Sequence, residues 1–298
     1  MLSQRTPTFG RAGVLTLLLL VWASWTWAAA EPAEPPRGLL FAFERGHGLP
    51  SYLFGTIHAD DPRVLDLPPP VAEAFASARR LVLEVTPDAA TLLEAAAGTM
   101  LPLGDDLAVQ IDANQGLEVV AAAARRKLPT VLVDRLKPWA VATLLSLPAM
   151  DQERVLDLTL YSRALARRLP VSGLESPDEQ LAAFDALSRP QQVELLRDAL
   201  RNEADLPNQY RELIDAYLAR DLATLVRLSA EAMGPGSGHD AFGQALIGER
   251  NQRMAERIDR LAGDEGGLFV AVGALHLPGD DGLVQSLRHR GFTVRLIH

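Results

Sequence analysis

Two histidines stand in matching positions near the two ends of the chain. His58 follows Gly55 by three positions at the end of the apolar run SYLFGTIH, and His276 follows Gly273 in the same way at the end of LFVAVGALH. In open α/β sheets, ligands bind beyond the carboxyl ends of the strands. The two patterns therefore predict one site that is built from both ends of the chain. A third Gly-x-x-His, at residues 236–239, lies in a glycine-rich loop and is given no role.

Glu84 places a carboxylate inside LVLEV, a run at residues 81–85 that is otherwise apolar. Charged side chains are almost never buried unless they are paired or bind a metal. Together with His58 and His276, Glu84 gives two imidazoles and a carboxylate, a set that suits a divalent metal with one position open for water. Such a metal would lower the pKa of that water and polarise a substrate carbonyl. The alternatives for Glu84 are an arginine partner or a strand end that reaches water.

Two more charged residues interrupt apolar patterns. Arg250 falls on the apolar stripe of a helix predicted over about residues 240–262, and Glu175 stands at the end of the strand-like run PVSGLE. A buried guanidinium needs a partner, which could be Glu84, Glu175 or negative charge that develops on a substrate. Glu175 could support a ligating histidine or act as a general base. The alternative for Arg250 is a purely structural ion pair.

The elements that must position these residues alternate along the chain. Short apolar runs predict strands and longer periodic segments predict helices, which is the α/β pattern. Ser176, Pro177 and Glu179 specify a helix start with a serine cap, a proline and a capping-box glutamate. The predicted strands are at residues 39–45, 51–57, 81–85, 130–134, 170–175, 267–274 and 292–297. The predicted helices are at about 68–78, 88–97, 115–127, 137–168, 240–262 and 280–289, with a helical insert at about 178–232.

The N-terminal residues have the composition of an export signal. Arg5 and Arg11 precede an uncharged run that ends at Trp27, and Ala28 to Ala30 offer a small-residue cleavage site. We predict a signal peptide over 1–30 that is cleaved after Ala30, a proline-rich linker over 31–37, and one domain over 38–298. Localisation would then be periplasmic or secreted. The alternative is an uncleaved membrane anchor, which would be the chain's only membrane contact.

Composition excludes several classes of function. The chain has no cysteine, which excludes disulfide scaffolds, thiolate metal sites and cysteine nucleophiles. Its formal net charge of −9 argues against nucleic acid as a partner, since phosphate contacts need clustered basic residues. G-x-S-x-G, H-E-x-x-H, P-loop and G-x-G-x-x-G motifs are missing as well, so common hydrolase and nucleotide-binding motifs give no assignment.

Taken together, the motifs resemble those of the TraB/GumN family, to which the Tiki metalloproteases are related. The matching segments run in order along nearly the whole domain: FGTIH, LVLEV, LKPW, GLESPDEQ, ERNQRM and VGALHLPGDDGLVQSLRHRGFTV. The resemblance implies a mixed α/β fold similar to that of erythromycin esterases and haem-binding ChaN proteins. It also implies a site formed by both Gly-x-x-His motifs and Glu84, with Arg250 and Asn251 nearby, and manganese or cobalt as the metal.

These observations lead to one main functional hypothesis and two rivals. The main hypothesis is an exported, metal-dependent hydrolase of a peptide or ester-like bond. In it His58 and His276 bind manganese, cobalt or zinc, Glu84 is a ligand or base, Arg250 stabilises the oxyanion, and Glu175 supports the site. The first rival is a non-catalytic carrier of haem or a small ligand, and the second is a regulatory protein that sequesters a peptide. The substrate is a peptide or small molecule in the main hypothesis, and the oligomeric state is left open.

Overall fold

A computed structural model of the chain describes residues 37–148, 150–151, 154–233, 247–263 and 265–298. The predicted signal peptide, almost all of the predicted linker and the Gly-x-x-His at 236–239 lie outside the described residues. In the described part of the chain, no helix combines the length and apolarity needed to cross a membrane.

Six strands form one mixed sheet: β1 (Leu40–Glu44), β2 (Ser51–Thr56), β3 (Arg80–Leu83), β4 (Val171–Gly173), β5 (Leu268–Gly273) and β6 (Thr293–Leu296). Their order in the sheet is β4-β3-β5-β2-β1-β6. Strands β2, β3, β4 and β5 are mutually parallel, and β1 runs antiparallel to both β2 and β6. The central parallel strands β3, β5 and β2 are short, largely apolar runs, as expected for strands covered on both faces, whereas β4 is a partly exposed edge strand.

Helices flank this sheet, so the predicted α/β class with a mixed sheet is confirmed. The first seven are α1 (Pro62–Leu65), α2 (Pro69–Ser77), α3 (Ala89–Gly98), α4 (Ala113–Arg125), α5 (Thr130–Val133), α6 (Pro138–Leu145) and α7 (Leu156–Ala166). The stretch predicted as a helical insert contains α8 (Pro177–Asp185), α9 (Arg189–Asn202), α10 (Leu206–Leu218) and α11 (Leu222–Met233). Then come α12 (Glu249–Ala262) and α13 (Leu283–His289).

The core has two parts. The larger part packs the strands against α2, α7, α12 and α13, with Phe269 as a fully buried centre. The smaller part surrounds Trp139 of α6, whose ring stacks on Phe184 at 4.8 Å between centroids. The indole Nε1 donates a hydrogen bond of 2.9 Å to Asp185. Every residue of α6 is buried, and all of them except Thr143 are apolar.

The structure corrects two sequence-based predictions. The run at 130–134 is not a strand but the short helix α5, closed by a 2.8 Å hydrogen bond from the Asp134 N–H to the Thr130 carbonyl. A short apolar run has no periodicity that separates strand from helix, and Val131 is in fact 79% exposed. The single helix predicted over 137–168 is two helices, α6 and α7, with the Pro148 region between them.

Candidate functional site

The two histidine motifs lie side by side at one edge of the sheet. Strands β2 and β5 are neighbours in parallel register, so that Thr56 pairs with Gly273 at their carboxyl ends. His58 and His276 follow within three residues, and both are buried. Gly55 permits this approach, since a Cβ there would lie 3.0 Å from the backbone of Ala274. The structure thus brings the two predicted motifs together.

Three charged residues form a buried cluster behind the histidines. The Arg250 guanidinium donates hydrogen bonds to both oxygens of Glu175, at 2.6 to 3.1 Å, and its Nη2 lies 2.6 Å from Glu84 Oε2. Burial alone would lower the pKa of Arg250, but the two carboxylates raise it above its ordinary value. Arg250 therefore pairs with both Glu84 and Glu175, the two carboxylates that the sequence analysis offered as possible partners. These three groups together carry a formal charge of −1.

Glu84 is engaged on both of its oxygens. Its Oε1 accepts a 2.6 Å hydrogen bond from the Gly273 N–H, and its Oε2 accepts from Arg250 and from the Gln180 amide at 3.0 Å. Gly273 is a position of close approach, because a Cβ there would lie 3.3 Å from Glu84 Oε1. Glu84 thus links the end of β3 to the second histidine motif and to α8 and α12.

His276 is held in one tautomer by Asn251. The Asn251 amide donates to the Asp281 carbonyl at 2.8 Å, so its Oδ1 is free to accept, and His276 Nδ1 lies 2.7 Å from it. Nδ1 therefore carries the proton and Nε2 keeps its lone pair, 3.7 Å from Glu84 Oε1. Burial, and then the positive charge of Arg250, lower the pKa of His276 to about 3. The imidazole is neutral at pH 7.

His58 faces a carboxylate that our sequence reasoning did not identify. Its Nε2 lies 3.9 Å from Asp157 Oδ2, while Asp157 Oδ1 accepts a 3.0 Å hydrogen bond from the Thr56 hydroxyl. Burial lowers the pKa of His58 to about 4, against the opposing effect of Glu84. Burial, and then the negative charge of Glu84, raise the pKa of Asp157 to about 7. In the sequence Asp157 is only an acidic residue in the first turn of α7, which is common in helices, so LDLTLY gave no signal that singled it out.

A pocket of about 270 Å³ opens over these residues. His58, His276, Glu84 and Arg250 line its floor. Leucines of α10 and α11 form an apolar wall, and three exposed acidic residues stand at the rim: Leu206, Leu213, Leu225 and Leu228, then Asp205, Glu212 and Glu231. The site can therefore hold an apolar group beside neutral imidazoles and face a cationic group at its entrance. Of the predicted site residues, Glu175 is the one that lies behind the floor, against Arg250.

The residues do not fit a metal that is held by His58, His276 and Glu84 alone. In the described part of the chain, no three histidine or acidic side chains converge as a metal-binding group. Both oxygens of Glu84 are committed to other donors, as given above, whereas the lone pair on His276 Nε2 is available. The assignment of these three residues as ligands stays a prediction, and the chemistry below is assigned to the side chains.

The sequence model described as "TraB/PrgY/gumN family" matches residues 39–296. No solved structure matches the chain with significance, so the similarity to the erythromycin esterase and ChaN fold stays a prediction.

Several curated proteins are similar at low identity. A protein of Treponema pallidum (strain Nichols), named only as uncharacterized, is 25% identical over 80% of this chain and 77% of its own length. Metalloprotease TIKI1 of Xenopus tropicalis and that of Homo sapiens are each 24% identical over 82% of this chain and 59% of their own length. The chain thus spans less than two thirds of the Tiki relatives that it matches.

Proposed function

This chain belongs to the TraB/PrgY/gumN family, and we propose that it is a hydrolase that cleaves peptide bonds in the pocket above His58 and His276. The family relatives named as metalloproteases support a protease-like role. The observation that carries the proposal is the pair of buried, neutral imidazoles at adjacent parallel strand ends that open into one pocket. As predicted from the N-terminal sequence, we place the protein in the periplasm or outside the cell.

The imidazoles supply the proton transfers of hydrolysis. A neutral histidine takes a proton from water as the water oxygen adds to the peptide carbonyl, and the same proton then goes to the leaving amine nitrogen. Glu84 Oε1, 3.7 Å from His276 Nε2, stabilises the positive charge when that ring is protonated. The amide C–N bond breaks, and the products are a carboxylic acid and an amine.

Arg250 and its two carboxylates set the electrostatics of the pocket floor. A fixed guanidinium on this floor favours the negative charge that develops on the carbonyl oxygen. Glu175, with a side chain that is 0% exposed, keeps Arg250 in place through three hydrogen bonds. We therefore assign stabilisation of the oxyanion to Arg250 and positioning to Glu175. Glu84, engaged on both oxygens, also acts by positioning and by its charge.

The pocket walls define a substrate class. The leucines of α10 and α11 accommodate an apolar side chain next to the scissile bond, and the acidic rim favours a basic residue one or two positions away. A peptide with such a pair of residues is the substrate we propose. The names of the Tiki relatives support dependence on a divalent metal, and manganese, cobalt or zinc as its identity stays a prediction.

A degenerate peptide mixture analysed by mass spectrometry tests the proposal. The wild-type protein is incubated with the mixture in EDTA and, separately, with manganese, cobalt or zinc. Beside it stand the double variant His58→Gln/His276→Gln and the control His289→Gln, an exposed histidine outside the pocket. We expect new peptide ends next to apolar residues with wild type and control, and at least 100-fold fewer with the double variant. Equal cleavage by all three proteins, or none in any condition, would contradict the proposal.

A further inference from the structure

Two buried polar atoms face each other without partners beside the pocket. Within the described residues, His58 Nε2 and Asp157 Oδ2 both lack a hydrogen-bond partner and are inaccessible to solvent. They are 3.9 Å apart. Unsatisfied buried polar groups are costly and rare in native proteins, and each one needs an explanation. Here one explanation serves both atoms.

The separation fits one bridging water. A direct hydrogen bond between nitrogen and oxygen spans roughly 2.7 to 3.2 Å, which is shorter than the gap. A water that accepts from Nε2–H and donates to Oδ2 would satisfy both atoms, as buried waters commonly do. Above its pKa of about 7, Asp157 is ionised and its carboxylate can only accept, so in that arrangement the proton of the neutral imidazole is on Nε2.

Asp157 is itself held in place by the strand that carries His58. The hydroxyl of Thr56 donates to Asp157 Oδ1 at 3.0 Å, and Thr56 is two residues before His58 at the end of β2. The carboxylate comes from the first turn of α7, so it fixes the ring from a different element. The other imidazole nitrogen, Nδ1, is then left for the pocket that His58 lines.

We propose that Asp157 is the positioning residue of His58: through one buried water its Oδ2 fixes the Nε2–H tautomer and aims the Nδ1 lone pair at the substrate. The inference rests on the proposed hydrolase function for its catalytic meaning. In the reaction, the proton of the attacking water goes to Nδ1 and later to the leaving amine. Asp157 keeps its own protonation state and stabilises the charged ring.

Nitrogen NMR on histidine-labelled protein tests the tautomer directly, without any substrate. Long-range ¹H–¹⁵N correlations at pH 8.5, above the pKa of about 7 of Asp157, distinguish Nε2–H from Nδ1–H imidazoles, and His58→Gln identifies the His58 signals. We expect the Nε2–H tautomer in wild type. In Asp157→Asn, the remaining oxygen still accepts from Thr56, so the amide NH₂ faces His58 and the tautomer inverts to Nδ1–H. The same tautomer in both proteins would overturn the proposal.

Two further variants separate positioning from other roles. Thr56→Ser keeps the hydroxyl and should keep the wild-type tautomer, whereas Thr56→Val releases Asp157 and should give a mixture. Circular dichroism must show native folds for the comparison to count. If added zinc or manganese perturbs the His58 nitrogens in wild type but not in Asp157→Asn, Asp157 is a metal ligand and the positioning proposal is wrong.

Enzyme kinetics test whether the tautomer of His58 matters for the proposed hydrolysis. On a cleaved peptide, Asp157→Asn should lower kcat by at least 100-fold with little change in KM, as a wrong tautomer does in hydrolytic triads. Inversion of the tautomer without loss of kcat would refute the catalytic meaning. If no peptide is cleaved by any variant, the tautomer result still decides the placement of Asp157, and only the hydrolase proposal fails.

Discussion

Replacing Arg250 with methionine should destabilise the protein severely. The substitution keeps an apolar stem on the buried face of α12 but removes the cation that Glu175 and Glu84 share. Glu84 retains hydrogen bonds from Gly273 and Gln180, whereas Glu175 loses three and remains fully buried. Removing one partner of a buried ion pair costs about 3 to 5 kcal/mol. We expect a loss in that range at pH 7.5.

Urea unfolding followed by circular dichroism measures this loss. The matched control is Arg253→Met on the same helix, whose side chain is 36% exposed and lies 3.7 Å from Glu175. It should cost less than about 1 kcal/mol, as expected for a partly exposed arginine at a longer distance from its partner. Adding Glu175→Gln to Arg250→Met removes the orphaned charge and should recover part of the loss. If Arg250→Met unfolds within about 1 kcal/mol of wild type, the cluster is not the stabilising unit described here.

Three further predictions concern close approach and acid stability. Gly55→Ala should lower the free energy of unfolding by about 1 to 3 kcal/mol, because the added Cβ would lie 3.0 Å from the backbone of Ala274. A thermal melt like that of wild type would contradict this. Gly273→Ala should displace Glu84, because the added Cβ would lie 3.3 Å from Glu84 Oε1. We expect kcat/KM to fall by a larger factor than the loss of melting temperature accounts for. A fall in kcat/KM that the lost stability fully explains would contradict this. The hydrogen bond from Arg257 holds the pKa of Glu179 at about 2 in the folded protein. The contribution of Glu179 to stability is therefore complete above the pKa that this residue has in the unfolded chain, and it is lost as the pH falls toward 2. Glu179→Gln should therefore be less stable by about 1 kcal/mol in urea at pH 7 and equal to wild type near pH 2; a pH-independent difference would contradict this.

The sequence predicted all six strands but not all of the helices. Every strand was found with errors of one or two residues, because short runs of strand-forming residues bounded by turns are typical of strands. The same rule misplaced α5, whose four residues carry no readable period. Helix α1 was missed because a single turn is too short to show a pattern.

Two residues of the candidate site could be identified from the sequence because their charge interrupts an apolar pattern. Glu84 in an apolar strand and Arg250 on an apolar helical face are visible in one dimension, and the structure pairs them. Asp157 does not stand out, because an acidic residue in the first turn of a helix is ordinary. The position of Asp157 beside His58 depends on the packing of α7 against the end of β2, where Thr56 and Asp157, 101 positions apart, are hydrogen-bonded.

The most direct test of the account is a double-mutant cycle on the two histidines, with kcat/KM for one cleaved peptide as the quantity measured. His58→Gln and His276→Gln should each lower kcat/KM by at least 100-fold. If the histidines form one site, the double variant should be little worse than the poorer single variant, because residues that act as a unit are strongly non-additive. Full activity in either single variant, or losses that simply multiply in the double variant, would contradict the account.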